Sequence, residues 1–335
     1  MKLLKSVAFL GLASVASSVY AADALTVYSY RQAFLIEPIL EKFTAQSGVD
    51  VNVVFAKDGI AERMVREGRL SPADVVSTSD FSRLMDLVDK DLVSPVESKV
   101  IDTNIPAQYR SQKHDWYALT MRVRNVYSSK ERSGKIDIDY EDLASAEYKG
   151  KICTRSGKHP YNIALVASMI AHDGEAKTKT WLEGVKDNLA RKPQGNDRAQ
   201  VLAVKEGICD VAIGNSYYFG KMQMDKNQKS WAEAVEINFP NQQNRGAHVN
   251  VSGMALAKHS PHKDNAIKLM EFLTSDVAQK MYAEVNMEYP VKADVAPSEL
   301  VASWGEFKAD SLPIYKLAEF HQAAVTLLDE VKFDL

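Results

Sequence analysis

From Leu25 onward the chain alternates short strand-like runs with segments of helical spacing, and no other feature restricts its fold as much. Leu25-Thr-Val-Tyr-Ser29 is a β-type run. After Tyr30-Arg31-Gln32, apolar Phe34, Leu35, Ile36, Ile39, Leu40 and Phe43 recur at helical spacing, with Pro38 in the first turn and Gly48 as the stop. A strand over 49–55, a helix over 60–68, a strand over 73–76 and a helix over 81–91 follow. Such alternation predicts an α/β layer built on a mostly parallel sheet.

The pattern then resumes with different contents. Residues 118–127 read as extended, 151–154 as a strand, 163–172 and 199–206 as helices, and 211–213 as a buried strand. An extended run over 251–257, a helix within 261–282 and a helix pair over 312–331 complete the chain. There is no internal repeat, low-complexity tract or Gly/Ser linker. A chain of this length exceeds what one compact core usually holds, so two α/β lobes joined by extended segments are expected. In open α/β sheets ligands bind beyond the carboxyl ends of the strands, and clefts between domains are favoured sites. Residues 30–33, 77–80, 155–161 and 214–218 are therefore the ones to inspect.

The first residues predict the compartment. Lys2 and Lys5, an apolar run over 7–15 and small residues ending Ser18-Val19-Tyr20-Ala21 have the parts of a secretory signal peptide. The run is shorter than the ~20 residues needed to cross a bilayer. Cleavage after Ala21 would leave a soluble product of 314 of the 335 residues in the periplasm. Losing two lysines takes the formal charge from −3 to −5, which argues against nucleic acid or an anionic membrane surface as partner. In an oxidising compartment Cys153 and Cys209 are expected to form one disulfide, provided their strands are neighbours; two buried thiols are the alternative.

Two of the strand ends carry tyrosine. Ile213-Gly-Asn-Ser-Tyr217-Tyr218 places a pair directly after a buried strand, and Tyr161 stands at a helix start in Thr154-Arg-Ser-Gly-Lys-His-Pro-Tyr161-Asn162. A phenolate is a hard anionic oxygen and Fe(III) a hard cation, so the two match. A free phenol has a pKa near 10, so iron must displace the proton and binding must weaken as pH falls. The same pair also fits half-buried packing with hydrogen-bonded hydroxyls. His159 reads as loop polarity, and His259 with His262 as helix-start chemistry. No Gly-rich phosphate loop, Gly-x-Ser-x-Gly elbow or His-Glu-x-x-His motif is present, so no enzyme chemistry is indicated.

At these residues the chain resembles the periplasmic ferric-ion-binding proteins of bacterial iron ABC transporters, the transferrin-like substrate-binding proteins. The resemblance rests on Val27-Tyr-Ser, Trp116-Tyr-Ala-Leu-Thr-Met-Arg-Val-Arg124, Arg155-Ser-Gly-Lys-His-Pro-Tyr161-Asn162, Asn215-Ser-Tyr-Tyr218 and Arg245-Gly-Ala-His-Val-Asn-Val-Ser-Gly253. Glu271-Phe-Leu-Thr-Ser275 and Glu288-Tyr-Pro290 extend it over nearly the whole mature chain. It implies a two-lobed α/β fold with the ligand cleft between lobes, an N-terminal lobe of 22–123 plus 249–295 and a C-terminal lobe of 124–248 plus 296–335. It further implies a monomer serving an inner-membrane ABC permease.

The same resemblance implies Fe(III) held by Tyr161, Tyr217 and Tyr218, with a synergistic, carbonate-like anion on an arginine. Arg122 is preferred to Arg124 for that role, and Arg31, Gln32 and Asn162 complete the candidate anion site. The chain departs from the family pattern after the first strand. Gln32 and Ala33 stand where a His or His-Tyr ligand is common. An exogenous anion, Tyr30 or Asp80 would fill that role, or the N-terminal lobe would close without ligating. A small-anion or organic-ligand binder is the alternative function, and a tyrosinate-iron oxidoreductase a more distant one.

Overall fold

The structure, a computed structural model, describes residues 24–335. The export segment 1–21 and its cleavage point lie outside the described residues. The strands are β1 (Leu25–Ser29), β2 (Val51–Phe55), β3 (Val75–Thr78), β4 (Val93–Ser94), β5 (Tyr117–Ser129), β6 (Ile152–Cys153), β7 (Val211–Asn215), β8 (Val235–Asn238), β9 (Val249–Ala257) and β10 (Tyr289–Pro290). Their spatial order is β2-β1-β3-β9-β5-β7-β6, with β10 and β8 also on β5 and β4 on β9.

The α/β reading holds, and the sheet is mixed. Pairing is parallel at β2-β1-β3 and at β6-β7. It is antiparallel wherever β5 and β9 take part. These two strands run in opposite senses, antiparallel to one another. β5 is shared: Tyr117 to Val123 pairs with β9, whereas Arg124 to Ser128 pairs with β7. One strand thus leaves one sheet and enters the next between Val123 and Arg124.

Most helices fall where apolar spacing puts them. Helix Ala33–Ser47 buries Ile36, Ile39, Leu40 and Phe43 and stops at Gly48, whose φ of 72° is the left-handed conformation a side chain would strain. Pro38, expected in the first turn, lies inside this helix. Its missing N–H deprives the Phe34 carbonyl of its usual donor. The expected helix within 261–282 is two helices, Lys263–Leu273 and Asp276–Asn286, because Ser275 caps the second by accepting the Ala278 N–H. Helix Glu175–Asp187 has no counterpart in the sequence reading; only Thr178, Trp181, Leu182 and Val185 are buried along it. The tail forms helices Lys316–Glu319 and His321–Glu330.

Two apolar cores sit on the sheets. One runs from Leu25, Val27 and Val75 through to Leu165, Leu327 and Phe333. The other joins Val123, Tyr127, Val201, Phe219 and Trp304. β6 and β7 are neighbours, which meets the condition for the disulfide. Cys153 and Cys209 are bonded, with Cα atoms 5.9 Å apart.

Candidate functional site

The turns after β1, β3, β6 and β7 converge on one cleft of about 200 Å³. Tyr217 and Tyr218 occupy the first turn of helix Ser216–Met224, which starts directly after β7. Tyr161 is the second residue of helix Pro160–Asp173, where Pro160 fits a position whose N–H needs no partner. His159 caps this helix: its Nδ1 accepts the Tyr161 N–H at 3.2 Å and its ring meets the Tyr161 ring edge-on at 4.5 Å. Burial, then Arg155, pushes the His159 imidazole down to about 3, so it stays neutral.

The tyrosines come together across the sequence. The hydroxyls of Tyr161 and Tyr217 are 3.3 Å apart, and the Tyr217 and Tyr218 rings stack at 4.1 Å. All three are half-buried and line the cleft. Burial raises the Tyr217 phenol well above its ordinary value, and the Tyr161 and Tyr218 hydroxyls raise it further. Tyr218 is raised by burial and then by Tyr161. Anionic oxygens this close repel one another unless a cation sits among them. Among the described residues no group of three or more His, Cys, Asp or Glu is placed to hold a metal ion. His262 instead starts helix Lys263–Leu273, with its N–H donated to Asp74 at 2.9 Å.

Behind the tyrosines lies a layer of arginines. The guanidinium carbons of Arg155, Arg122 and Arg124 stand 5.4, 5.6 and 6.0 Å from the centre of the Tyr161 ring. Arg124 is committed: it donates to Asp197, to Asn215 Oδ1 at 3.1 Å and to Asn162 Oδ1 at 2.6 Å. Asn162 is committed too, because its amide also donates to Thr154 Oγ1 and to the Arg155 and Ser156 carbonyls. Asp197 is fully buried and accepts from Arg124, Arg155 and the Asn215 N–H. Burial alone would raise its carboxyl; the two arginines outweigh that and hold it below the usual carboxylate range.

Arg122 differs. Its Nη2 donates to the Ser79 carbonyl, whereas Nε and Nη1 are buried with no hydrogen-bond partner among the described residues. Nε and Nη1 lie on different edges of the guanidinium, so each is a single charged donor open to an anionic oxygen. Arg31 is buried and paired with Glu288 at 3.0 Å, and Glu288 accepts Thr120 Oγ1 at 2.7 Å. Gln32 is exposed at the start of its helix, its side chain bonding no helical N–H.

Tyr30 turns its hydroxyl to the Ala61 N–H at 3.2 Å, under Arg83. Asp80 caps helix Phe81–Asp89 by accepting the Arg83 N–H. Neither directs its oxygen to the tyrosine cluster in this conformation. Sequence reasoning missed Asp197, Arg198, Lys221, Asn286 and Glu288. Asn196-Asp197 reads as an ordinary helix start, and nothing in the spacing of the others brings them to this cleft.

An interlobe cleft entered from strand ends and lined by tyrosines defines a solute-binding protein. The family model described as bacterial extracellular solute-binding protein matches residues 71–306, and the chain belongs to this family. It is 40% identical over 310 residues to iron uptake protein A1 of Synechocystis, covering 91% of this chain and 86% of that protein. The open form of ferric iron-binding protein A from Mannheimia haemolytica matches it with TM-score 0.90 at 54% identity, over 94% of this chain and 100% of that one. A Trichodesmium protein solved with iron and citrate matches with TM-score 0.89 at 36% identity, over 92% and 99% of the two chains. No helix among the described residues is long and apolar enough to cross a membrane.

Proposed function

We propose that this chain is the Fe(III)-binding component of a bacterial ABC-type iron importer. In this reading it is exported to the periplasm after cleavage near Ala21 and acts as a monomer on an inner-membrane permease. Fe(III) is taken by the phenolates of Tyr161, Tyr217 and Tyr218, and a carbonate-like anion on Arg122 fills further coordination positions. Arg124, Arg155, Asp197 and Asn162 hold the tyrosine-bearing turns, and Gln32 and Arg31 stand at the N-terminal rim.

The observation that carries this reading is the 3.3 Å approach of the Tyr161 and Tyr217 hydroxyls beside stacked Tyr218. Three phenolates balance one trivalent cation, and that cation removes the repulsion among them. The relatives' names, iron uptake and ferric iron binding, agree with it. A binder of a small anion alone would use Arg122 and leave the tyrosine cluster without a role. The lobes are taken as 22–123 with 249–295 and 124–248 with 296–335; the change of pairing partner along β5 supports the first boundary. Bound iron favours the closed form only through its difference in affinity for the two states, and the closed form is what the permease would read.

The test is a visible absorbance titration of the metal-stripped protein with chelated Fe(III), with and without bicarbonate. A saturable phenolate-to-iron band near one equivalent is expected. Absence of the band under both conditions overturns the reading.

A further inference from the structure

The first turn of helix Ala33–Ser47 holds two apolar side chains that the core does not use. The helix buries Ile36, Ile39, Leu40 and Phe43, whereas Phe34 is 60% exposed and Leu35 half-buried. Both line the cleft that receives Tyr161, Tyr217 and Tyr218. A lone exposed phenylalanine is ordinary on a protein surface. In this cleft it is not, because every other described residue of the lining is a tyrosine or carries a polar or charged side chain.

A second observation concerns the oxygens on the same side. Tyr30 Oη accepts the Ala61 N–H, and Asp80 accepts from Ser82 Oγ and the Arg83 N–H. The Ser79 carbonyl accepts from Arg122, and Glu288 is paired with Arg31. Gln32 adds a neutral amide, a poor match for Fe(III). In the two-lobe reading these residues belong to the N-terminal lobe and the three tyrosines to the C-terminal one. What the N-terminal lobe presents to the tyrosines is therefore an apolar pair, with its anionic oxygens already engaged.

We infer that Phe34, with Leu35 beside it, determines how long iron stays: the N-terminal lobe closes an apolar wall over the tyrosine-bound ion, supplies it no ligand, and keeps out water and competing chelators. This deepens the iron-binding reading and rests on it. Iron leaves by ligand exchange, which needs an incoming oxygen donor and a proton for each phenolate released. Both come through the mouth that the Phe34 ring covers. The stacked Tyr217 and Tyr218 rings offer an aromatic surface against which that ring can pack. With water excluded, the lower local dielectric also strengthens the attraction between the ion and its phenolates. Phe34 bonds no metal in this arrangement, so it sets retention and not the coordination itself.

The experiment follows loss of iron from the Fe(III)-loaded protein to excess EDTA, read from decay of the phenolate band. Phe34→Ser should release iron at least about 10-fold faster, the size of effect seen when a metal site loses part of its surrounding shell. Its band should keep the wild-type position and saturate at the same iron equivalents. Phe34→Leu, which keeps the wall apolar, should release iron at nearly the wild-type rate. Water-proton relaxivity of the iron-loaded protein should rise in Phe34→Ser and not in Phe34→Leu, a readout that a merely structural role would not move. Because the ring is exposed, thermal unfolding of the metal-free variants should match wild type. Equal release rates in wild type and Phe34→Ser, or a displaced band in Phe34→Ser, overturns the apolar wall while leaving the tyrosinate site standing. Absence of the band in the wild-type protein overturns both.

Discussion

The hydroxyl oxygens of Tyr161 and Tyr217 lie 3.3 Å apart although the residues stand 56 positions apart in the chain. The contact exists because β6 and β7 are parallel neighbours whose carboxyl ends each feed a helix with a tyrosine in its first turn. Tyr217→Phe removes one oxygen and keeps the ring stack on Tyr218. Iron affinity should fall by more than the ~10–100-fold typical of losing a supporting contact, with little change in unfolding midpoint. Near-native affinity in Tyr217→Phe and Tyr161→Phe would sink the three-tyrosinate site.

Arg122 should control the anion and not the fold. Arg122→Lys keeps the charge and removes the open Nε and Nη1 donors. We expect the bicarbonate dependence of iron binding to weaken at least ~10-fold, in line with the 1.5–3 kcal/mol of a charged hydrogen bond, while Arg124→Lys lowers stability first. Titrating bicarbonate at fixed iron separates the two. Equal bicarbonate dependence in wild type and Arg122→Lys would move the anion elsewhere.

Proton release reports the ligands directly. The Tyr217 and Tyr218 phenols are held above their ordinary value, so each carries its proton at neutral pH until iron displaces it. About three protons per iron should appear in weakly buffered solution, one per phenol. Apparent affinity should therefore fall by up to about three decades per pH unit on acidification. Fewer than one proton per iron would contradict phenolate coordination.

Asp197 should be a stability residue whose loss reads out as a loss of fold. Asp197→Ala strands Arg124 and Arg155 in the interior, and breaking a buried pair in this way costs about 3–5 kcal/mol. Urea unfolding would show it. A variant as stable as wild type would mean that water reaches both guanidinium groups.

His248 sets an acid limit on the fold. It is 3% exposed, and burial depresses its imidazole to about 3. A depressed value means that stability is full above the unfolded-state value near 6.5 and is lost as pH falls towards 3. Between pH 7.5 and 5 this group alone should cost about 2 kcal/mol, at 1.36 kcal/mol per pH unit below 6.5. Denaturant unfolding at the two pH values measures the drop, and His248→Gln should shrink it. An equal drop in that variant would assign the loss to other groups.

The alternation of periods made the α/β class legible, and turn positions after buried strands drew attention to the tyrosines. Ile36 to Phe43 and Ile60 to Met64 show their buried faces in spacing alone, whereas Phe34, counted in the same pattern, is exposed. Helix Glu175–Asp187 escaped because charged residues of both signs fill most of its surface and only a few side chains face inward. The direction of β5 and β9 escaped as well, since period-2 alternation reports a strand without reporting its partner. At the site, it was the family resemblance that pointed to Tyr161, Tyr217 and Tyr218, and it preferred Arg122 to Arg124 only slightly, because both lie on one strand two residues apart. Only the third dimension shows that Asp197, 73 positions beyond Arg124, takes that arginine and leaves Arg122 with a carbonyl in place of a carboxylate.

That strand has a mechanical consequence. Its sheet partner changes between Val123 and Arg124, so in the proposed two-lobe reading a rotation of one lobe against the other would turn about a point near both arginines. Points near an axis travel least. The Arg122 guanidinium, 5.6 Å from the Tyr161 ring, would keep nearly the same distance to it while the outer rim at Gln32 sweeps through a wide arc. Capture and enclosure would then be separable: under the proposed function the cargo would be chelated at the pivot first, and the far wall would decide only how long it stays.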